Sequence, residues 1–191
     1  DTGSAPCSGD CRPGCSCGKY FEIWNDVFMQ YDKKADGSFV SLRQHNVDTG
    51  MGVERTAAML QGKQTVFETE LFAPIMEVLD TGTSTGGSDQ AEAVRARRVV
   101  ADHLRSAVFV IGDTRGVVPG NLGQGYVLRR LIRRAIRFAR TLGLGPGFST
   151  PVADCVLENY RHIYPELEQN RERIIRELKD EEKRFEKTLS R

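Results

Sequence analysis

The feature that most constrains the fold is a basic and apolar run near the middle of the chain, GYVLRRLIRRAIRFARTLG at residues 125–143. At about 100° per residue, six arginines fall within one arc of about 140°, and apolar side chains fill the opposite side. The arginines are Arg129, Arg130, Arg133, Arg134, Arg137 and Arg140. The run therefore predicts an amphipathic helix with one face in a core and one wholly basic face.

A helix face with six like charges repels itself unless counterions reach it, and a phosphate backbone supplies them. Contact with nucleic acid is thus favoured for this face. Two other interpretations remain open. The arginines are simply solvated, or they pair with the Glu-rich C-terminal helix, where Arg133 would meet Glu177 or Glu181.

Charge along the chain is uneven, although the formal net charge is only +1. Residues 1–93 sum to −7, residues 94–140 to +9 and residues 141–191 to −1. A separate basic segment is typical of a protein that binds a polyanion beside an ordinary domain. No apolar run of about eighteen residues predicts a membrane span, and the N-terminus lacks signal-peptide features, so we expect a cytoplasmic protein.

Turn-rich stretches predict where the chain divides. TGTSTGGSDQ at residues 81–90 predicts a flexible connection, and GLGPGFSTP at residues 143–151 predicts a tighter break. We therefore place one domain at residues 1–85 and a mainly helical domain at residues 86–191. From Pro165 onward the spacing predicts one long amphipathic helix, whose apolar seam is a candidate oligomerisation surface. The seam residues are Leu167, Ile174, Leu178, Phe185 and Leu189.

The first domain is predicted to contain an antiparallel β-hairpin. FEIWNDVFMQYD at residues 21–32 is rich in aromatic and β-branched residues, a turn is expected at residues 35–37, and a second extended run follows. VERTAAMLQG then has helical spacing and is expected to end at Gly62. These elements together predict an α+β fold.

Two glycines lie where the second strand leads into that helix. Gly50 and Gly52 lack a Cβ, which permits unusual backbone angles and close approach of a ligand to the main chain. Arg55 offers a positive fork to a phosphate, and Asp48 offers a negative charge to an ammonium group. The alternative is that the Gly-x-Gly is only a turn.

Four cysteines are packed into PCSGDCRPGCSCG as Cys7, Cys11, Cys15 and Cys17. Thiolates at this density can hold a tetrahedral Zn²⁺, although the usual C-x2-C pairs are lacking. A reduced Cys-rich loop and a pair of disulfides are the alternatives, the latter disfavoured in a cytosolic chain.

Long, ordered stretches of the sequence resemble the alanyl-tRNA synthetase family of class II aminoacyl-tRNA ligases. The stretches are VDTGMGVERTAAMLQG, EIWNDVFMQY, VVADHLRSAVFVIGD, GNLGQGYVLRRLIRRAIR and LKDEEKRFEKTL. The resemblance covers the chain from about Phe21 onward. It implies part of a class II antiparallel sheet in residues 1–85, followed in residues 86–191 by a helical domain that binds the tRNA acceptor stem.

The same resemblance assigns roles in the first domain. Gly50, Gly52 and Arg55 match class II motif 3, which implies ATP contacts by both glycines and a γ-phosphate contact by Arg55. Asp48 matches the aspartate that binds the α-ammonium of alanine, and Trp24 and Asn25 match the strand lining that pocket. ATP, Mg²⁺, alanine and tRNA(Ala) are the implied ligands, and Asp48 and Arg55 are the implied catalytic residues.

In the helical domain, the resemblance favours tRNA contact by the arginine face and base readout by one asparagine. Asn121 matches the position that recognises the wobble pair of the alanine-tRNA acceptor stem. An amide carries both donors and acceptors, so it can read a base edge in the shallow groove of an RNA helix. The alternative is that Asn121 only stabilises a turn beside Gly120. The contacting arginines would be Arg129, Arg130, Arg133, Arg134 and Arg137.

The sequence departs from the family pattern in lacking motif 1 and the arginine of motif 2, which clamps the α-phosphate. We therefore expect this chain to act as part of an alanine–tRNA ligase and, by itself, to activate alanine poorly or not at all. The remainder of a synthetase is then an expected partner. The alternative is a catalytically inactive paralogue that serves as an RNA-binding or interaction module.

Overall fold

An antiparallel hairpin followed by helices makes the protein α+β, as predicted. The computed structural model describes residues 1–83 and 90–189. The chain forms two compact units, Asp1–Thr69 and Glu70–Arg191. The elements are β1 (Trp24–Lys33), β2 (Phe39–Met51), α1 (Val53–Leu60), a 3-10 helix (Val66–Glu68), α2 (Ala73–Gly82), α3 (Gln90–Gly112), α4 (Gly123–Thr141), α5 (Ser149–Tyr160), α6 (Pro165–Gln169) and α7 (Arg171–Leu189).

The β1–β2 hairpin turns where the sequence predicted. Gly37 has a φ of 85°, which only glycine adopts readily, and its N–H donates to Lys34 O at 2.9 Å. The Asp36 carboxylate accepts hydrogen bonds from the Ser38 N–H at 2.9 Å and the Ser38 hydroxyl at 2.7 Å. These contacts hold the pKa of Asp36 below its usual range. The strand register is interrupted once, between Met29 and Tyr31.

Helix α1 begins directly after the second strand and ends as predicted. Gly62 has a φ of 63°, and the Lys63 N–H reaches back to Ala58 O at 2.8 Å, which closes the helix at its C-terminus. The glycine is therefore needed for its left-handed conformation.

Helix α3 forms the centre of the second unit and packs on α2, α4, α5, α6 and α7. Most of its apolar residues are buried, although Val110 is exposed. The buried apolar set is Ala93, Ala96, Val100, Ala101, Leu104, Ala107, Val108 and Ile111. Helix α4 lies on α3 through its predicted apolar face, of which Leu128, Ile132, Ala135, Ile136 and Ala139 are buried. The prediction that this face belongs to a core is confirmed.

The C-terminal segment is two helices, not the single long helix that the spacing predicted. Asn170 separates α6 from α7, and its side-chain amide donates to Gly112 O and Glu166 O, each at 3.0 Å. Leu167, Ile174 and Leu178 are buried within the chain, so they are not available as an oligomerisation surface. The hypothesis fails at these three positions because their side chains pack inside the second unit, whereas Phe185 is partly exposed. The Leu189 side chain lies outside the described residues.

The boundary between the units falls earlier than the predicted domain boundary at 85/86. Helix α2 packs on α3 and α5, so it belongs with the second unit, although the turn-rich stretches place it in the first domain. Division by packing does not test division by function, and the boundary at 85/86 stays a prediction. The predicted connection at residues 81–90 lies mostly outside the described residues, while its first two residues end α2. Within the described ranges, no helix is long and apolar enough to cross a membrane.

Candidate functional site

The Gly-x-Gly between β2 and α1 makes room for two neighbouring side chains. Neither Gly50 nor Gly52 has a positive φ, so unusual backbone angles do not explain them. A Cβ on Gly50 would lie 3.2 Å from the Asn25 amide oxygen, and a Cβ on Gly52 would lie 3.2 Å from Arg55 Cδ. Both distances are closer than ordinary van der Waals contact. The two glycines therefore leave space for the Asn25 and Arg55 side chains, and the predicted approach of a ligand to the main chain stays a prediction.

Arg55 is held by the segment that leads into β1. Its Nη1 donates to Glu22 O at 3.1 Å, and its guanidinium lies 5.5 Å from the centre of the Phe21 ring. The Gly52 N–H donates to Ile23 O at 3.0 Å, which fixes the start of α1 against the same segment. Half of the Arg55 side chain is exposed, so the side chain remains accessible to a ligand.

Glu22 is a site residue that the sequence did not single out. Its Oε1 accepts a hydrogen bond from Asn25 Nδ2 at 3.2 Å and lies 3.9 Å from Arg55 Nη1. One carboxylate therefore orients both an amide and a guanidinium. It lies immediately before the first strand, and no local periodicity marks such a residue; only the folded hairpin brings it to Arg55.

The strand register places three of the predicted alanine and ATP residues on one face of the hairpin. Asn25 is opposite Gly50, and Val27 is opposite Asp48. Because alternate residues of a strand share a face, Asn25, Asp48 and Gly50 point to the same side. We call this the Asp48 face.

Trp24 lies on the other face, opposite Met51, so the structure does not bring it to Asp48. Phe28 and Val47 pair on that same side. Between about half and three quarters of each of these four side chains is exposed. The hairpin thus carries the candidate ligand residues on one face and these four apolar side chains on the other, which also holds Asp26 and Thr49 and which we call the apolar face. Trp24 belongs to the apolar face.

The arginine face of α4 divides into a paired edge and an exposed edge. Arg133 Nε lies 2.6 Å from Glu181 Oε1, and Arg129 Nε lies 3.5 Å from Glu181 Oε2. Glu181 has no exposed surface. The interpretation that pairs Arg133 with the C-terminal helix is therefore confirmed for this edge.

The remaining arginines of the face point to solvent. Arg130 and Arg134 lie about 5.9 Å from the ring centres of Tyr126 and Phe138, respectively. Within residues 1–83 and 90–189, none of the exposed set has a carboxylate partner. The exposed set is Arg130, Arg134, Arg137 and Arg140, and we call it the outer arginines.

Glu182, next to Glu181, is a second buried acid that no sequence pattern singled out. Its carboxylate accepts hydrogen bonds from the Ser149 hydroxyl at 2.5 Å and from the Gly147 N–H. Both donors lie at the start of α5, where a negative charge is favourable beside the helix dipole. Helix α7 therefore uses two consecutive acids to fasten α4 and α5.

Asn121 lies at the exposed tip of a tight loop before α4. The loop is closed by a hydrogen bond from the Gly120 N–H to Gly125 O at 2.9 Å. A Cβ on Gly125 would lie 2.8 Å from Val118 O, so only glycine fits this crossing. The Asn121 amide oxygen accepts a hydrogen bond from Arg129, which also reaches Pro119 O at 3.4 Å. Arg129 thus orients the amide of the predicted base-reading residue.

The four cysteines near the N-terminus bring their sulfurs together. All four Sγ atoms lie within 4.8 Å of one another, with Cys7 and Cys15 3.5 Å apart and Cys11 and Cys17 3.6 Å apart. Hydrogen bonds with Cys15, Cys17 and Cys11 raise the pKa of the Cys7 thiol to about 12. A hydrogen bond from the Lys19 backbone is the main cause that lowers the pKa of Cys17 to about 7.

Comparison with known proteins shows the family to which the chain belongs. Residues 8–191 match the family described as tRNA synthetases class II (A). The alanine–tRNA ligase of Treponema pallidum is 50% identical over 185 residues, which are 97% of this chain and 31% of that protein. The alanine–tRNA ligase of Borreliella afzelii is 48% identical over 189 residues, 99% of this chain and 32% of that protein. The chain spans about a third of the length of these curated relatives, and it belongs to the alanyl-tRNA synthetase family of class II tRNA synthetases.

Proposed function

We propose that this chain is the part of an alanine–tRNA ligase that supplies the motif 3 site for ATP and alanine and the surface for the tRNA acceptor stem. The observation that carries the proposal is the Asp48 face, where a carboxylate, an amide and a glycine lie together at the strand end that leads to Arg55. Groups suited to bind an amine and a phosphate, and a glycine that exposes the backbone, thus occur close together in the chain.

In the proposed reaction, the carboxylate of alanine attacks the α-phosphate of ATP, and the terminal ribose of the tRNA then accepts the alanyl group. Asp48 binds the ammonium group of alanine. Arg55 binds the γ-phosphate of ATP, which enters as its magnesium complex. Such transfers depend mainly on positioning and charge stabilisation. Glu22 contributes by holding Arg55 and Asn25 in place.

The chain by itself is proposed to activate alanine slowly or not at all. The sequence holds no motif 2 arginine to neutralise charge at the α-phosphate, where it develops in the transition state. The apolar face of the hairpin, with Trp24 and Phe28 largely exposed, fits a layer supplied by the rest of a larger enzyme. We infer that these other parts complete the site.

The acceptor stem is proposed to lie on the outer arginines and the Asn121 loop. The outer arginines offer positive charge without an internal counterion, which suits a phosphate backbone. Asn121 projects its amide at an exposed loop tip, where it can meet a base edge in the minor groove. Phosphate contacts would position the RNA, and Asn121 would provide specificity.

A chimera tests the ligase role. These 191 residues would replace the matching segment of the Treponema pallidum alanine–tRNA ligase, and ATP–pyrophosphate exchange and alanylation would be measured. We expect activity in the chimera and essentially none in the isolated chain. Loss of exchange after Asp48→Asn, with retention after the apolar-face control Val47→Ile, would support the assigned face.

The second candidate is an inactive paralogue that keeps only RNA binding, and it is favoured by one observation. The outer arginines and the Asn121 loop lie in the second unit, which does not contain the ATP residues. An inactive but folded chimera, combined with tight binding of the isolated chain to an alanine acceptor minihelix, would select this candidate over the ligase.

A further inference from the structure

The N-terminal loop before β1 is closed on itself and surrounds the four cysteines. The Thr2 N–H donates to Lys19 O at 2.8 Å, and the Thr2 hydroxyl lies 3.0 Å from Gly18 O. Lys19 Nζ reaches back to Ser4 O at 2.7 Å. These contacts join the two ends of the loop without using any cysteine.

Within the loop, two tight turns present the sulfurs to one point. The Cys11 N–H donates to Ser8 O at 3.2 Å, and the Cys15 N–H donates to Arg12 O at 3.0 Å. Gly14, with a φ of 93°, supplies the left-handed residue that the second turn needs. The cysteines therefore converge through backbone geometry.

The sulfur separations fit one tetrahedral ion. Zinc binds thiolate sulfur at about 2.3 Å, which places the four sulfurs of a tetrahedral site about 3.8 Å apart. The closest pairs here are 3.5 and 3.6 Å apart, and no pair exceeds 4.8 Å. An iron–sulfur cluster needs a wider spacing, because its four cysteines are divided among two or four iron atoms. Four sulfur ligands in a tetrahedron favour Zn²⁺ over harder ions.

We propose that Cys7, Cys11, Cys15 and Cys17 bind one Zn²⁺ as thiolates and that this ion fixes the segment which holds Arg55. Binding releases the thiol protons to solvent and forms four Zn–S bonds, with no change of oxidation state. The Lys19 backbone hydrogen bond to Cys17 is of the kind that supports a bound thiolate.

The second part of the proposal follows from the short distance along the chain between the loop and the site. Four residues after Cys17, the segment at residues 21–23 begins to contact Arg55 and Gly52, through the ring of Phe21 and the backbone oxygens of Glu22 and Ile23. The loop also lines a cavity of about 230 Å³ with the end of α1, including Thr2, Gly18, Met59 and Gly62. A loop fixed by zinc would therefore hold both ends of α1.

Metal content and cobalt spectroscopy of the full 191-residue chain test the zinc site. Zinc would be measured in protein purified under reducing conditions without chelator. Metal-free, reduced chain would then be titrated with Co²⁺, whose tetrahedral thiolate complexes absorb strongly in the visible range. We expect about one zinc per chain, one equivalent of tetrahedral cobalt, and displacement of cobalt by zinc.

Matched variants assign the ligands. Cys11→Ser is expected to weaken cobalt binding at least about 100-fold. Cys155→Ser, which changes a half-buried thiol of α5, leaves one equivalent bound. Because most helices lie in the second unit, which does not contain these ligands, the far-UV CD signal shows whether that unit of the variant is still folded.

Several results would overturn the site. The first is that the reduced wild-type chain takes up no cobalt. The second is that the purified chain is lighter by the mass of four hydrogens, which indicates two disulfides. The third is that the purified chain contains iron in place of zinc.

The coupling to Arg55 has its own readout, independent of ATP, alanine and RNA. Trp24 is the single tryptophan of the chain and directly follows residues 21–23. Zinc addition is expected to change its emission and to slow hydrogen exchange at the Gly52 amide at least about tenfold. Zinc binding without either change would refute the coupling while leaving the metal site intact.

Discussion

The Arg133 guanidinium lies 2.6 Å from the carboxylate of Glu181, an acid with no exposed surface. The pair joins α4 to α7 and removes one arginine from the surface that the sequence presented as uniformly basic. Arg133 is therefore a poor probe of RNA binding, because its loss affects the fold first.

Replacing Arg133 should destabilise the chain. Arg133→Leu removes the shortest ion pair of the buried Glu181 charge and leaves it with Arg129 at 3.5 Å and Arg184 at 3.9 Å. Breaking a buried pair costs about 3–5 kcal/mol. The double change Arg133→Leu with Glu181→Leu should recover most of the loss. Urea unfolding followed by helical CD measures both. A loss below about 0.5 kcal/mol, equal to that of the exposed control Arg176→Leu, would contradict the pairing.

Replacing the outer arginines should weaken RNA binding without unfolding the protein. Arg130→Gln, Arg134→Gln and Arg137→Gln should each remove one of the proposed phosphate contacts. Each should reduce the slope of log K against log salt by about one for an acceptor minihelix. Arg176→Gln is the matched control, because Arg176 is exposed and lies on the opposite side of α7 from the buried Ile174 and Leu178. If all four variants gave the same slope of log K against log salt, the RNA would not bind at the outer arginines.

The Asn121 loop should control specificity more than overall affinity. Asn121→Ala removes the amide and should cost about 1–3 kcal/mol of discrimination between the cognate wobble pair and a Watson–Crick replacement. Gly125→Ala keeps the amide but adds a Cβ 2.8 Å from Val118 O, so it should displace the loop and reduce discrimination similarly. Minihelix competition measures both. Gly145→Ala is a control, because its Cβ would meet no atom within 4 Å.

Gly52→Ala should act on Arg55 and not on the fold. The new Cβ would lie 3.2 Å from Arg55 Cδ, so the arginine stem must move by a few tenths of an ångström. In the chimera, we expect a higher KM for ATP with thermal stability nearly unchanged. Arg55→Lys keeps the positive charge but loses the planar guanidinium with its paired N–H donors, so it should also raise the KM for ATP without changing thermal stability. An unchanged KM for ATP in both variants would remove Arg55 from the site.

The thiols should differ in reactivity when no metal is bound. The pKa of Cys17 is lowered from 9.0 to about 7, so its thiolate dominates above pH 7 and is lost as the pH falls through that value. The pKa of Cys7 is raised to about 12, so it stays a thiol at neutral pH. Alkylation mapped by mass spectrometry at about pH 7.5 should therefore modify Cys17 first and Cys7 last. Zinc should protect both, and equal rates in the metal-free chain would contradict this order.

Much of the local structure could be predicted from the sequence. The turn at Asp36-Gly37, the end of α1 at Gly62 and the buried face of α4 all follow from patterns within a few residues. Conformational preference and side-chain periodicity are local properties, so they can be read without knowledge of the remaining chain. The break at Asn170 was missed because the apolar spacing continues across it. The interruption depends on the Asn170 amide, which donates to backbone oxygens of α3 and α6.

Long-range partners could not be predicted in the same way. The alternation along β1 is visible in the sequence, but only the strand register places Asn25 with Asp48 and Trp24 on the opposite side. Glu22 was missed for a similar reason, because its contact with Arg55 spans 33 positions of the chain.

The sequence by itself determined that α4 has an apolar and a basic side, since a helix repeats every 3.6 residues wherever it lies. It also determined that four thiols occur within eleven residues, from Cys7 to Cys17. Only the tertiary structure decided which arginines remain for a ligand. The carboxylate of Glu181 approaches Arg129 and Arg133 from a helix about fifty positions away, and it is the packing of α7 on α4 that buries that charge.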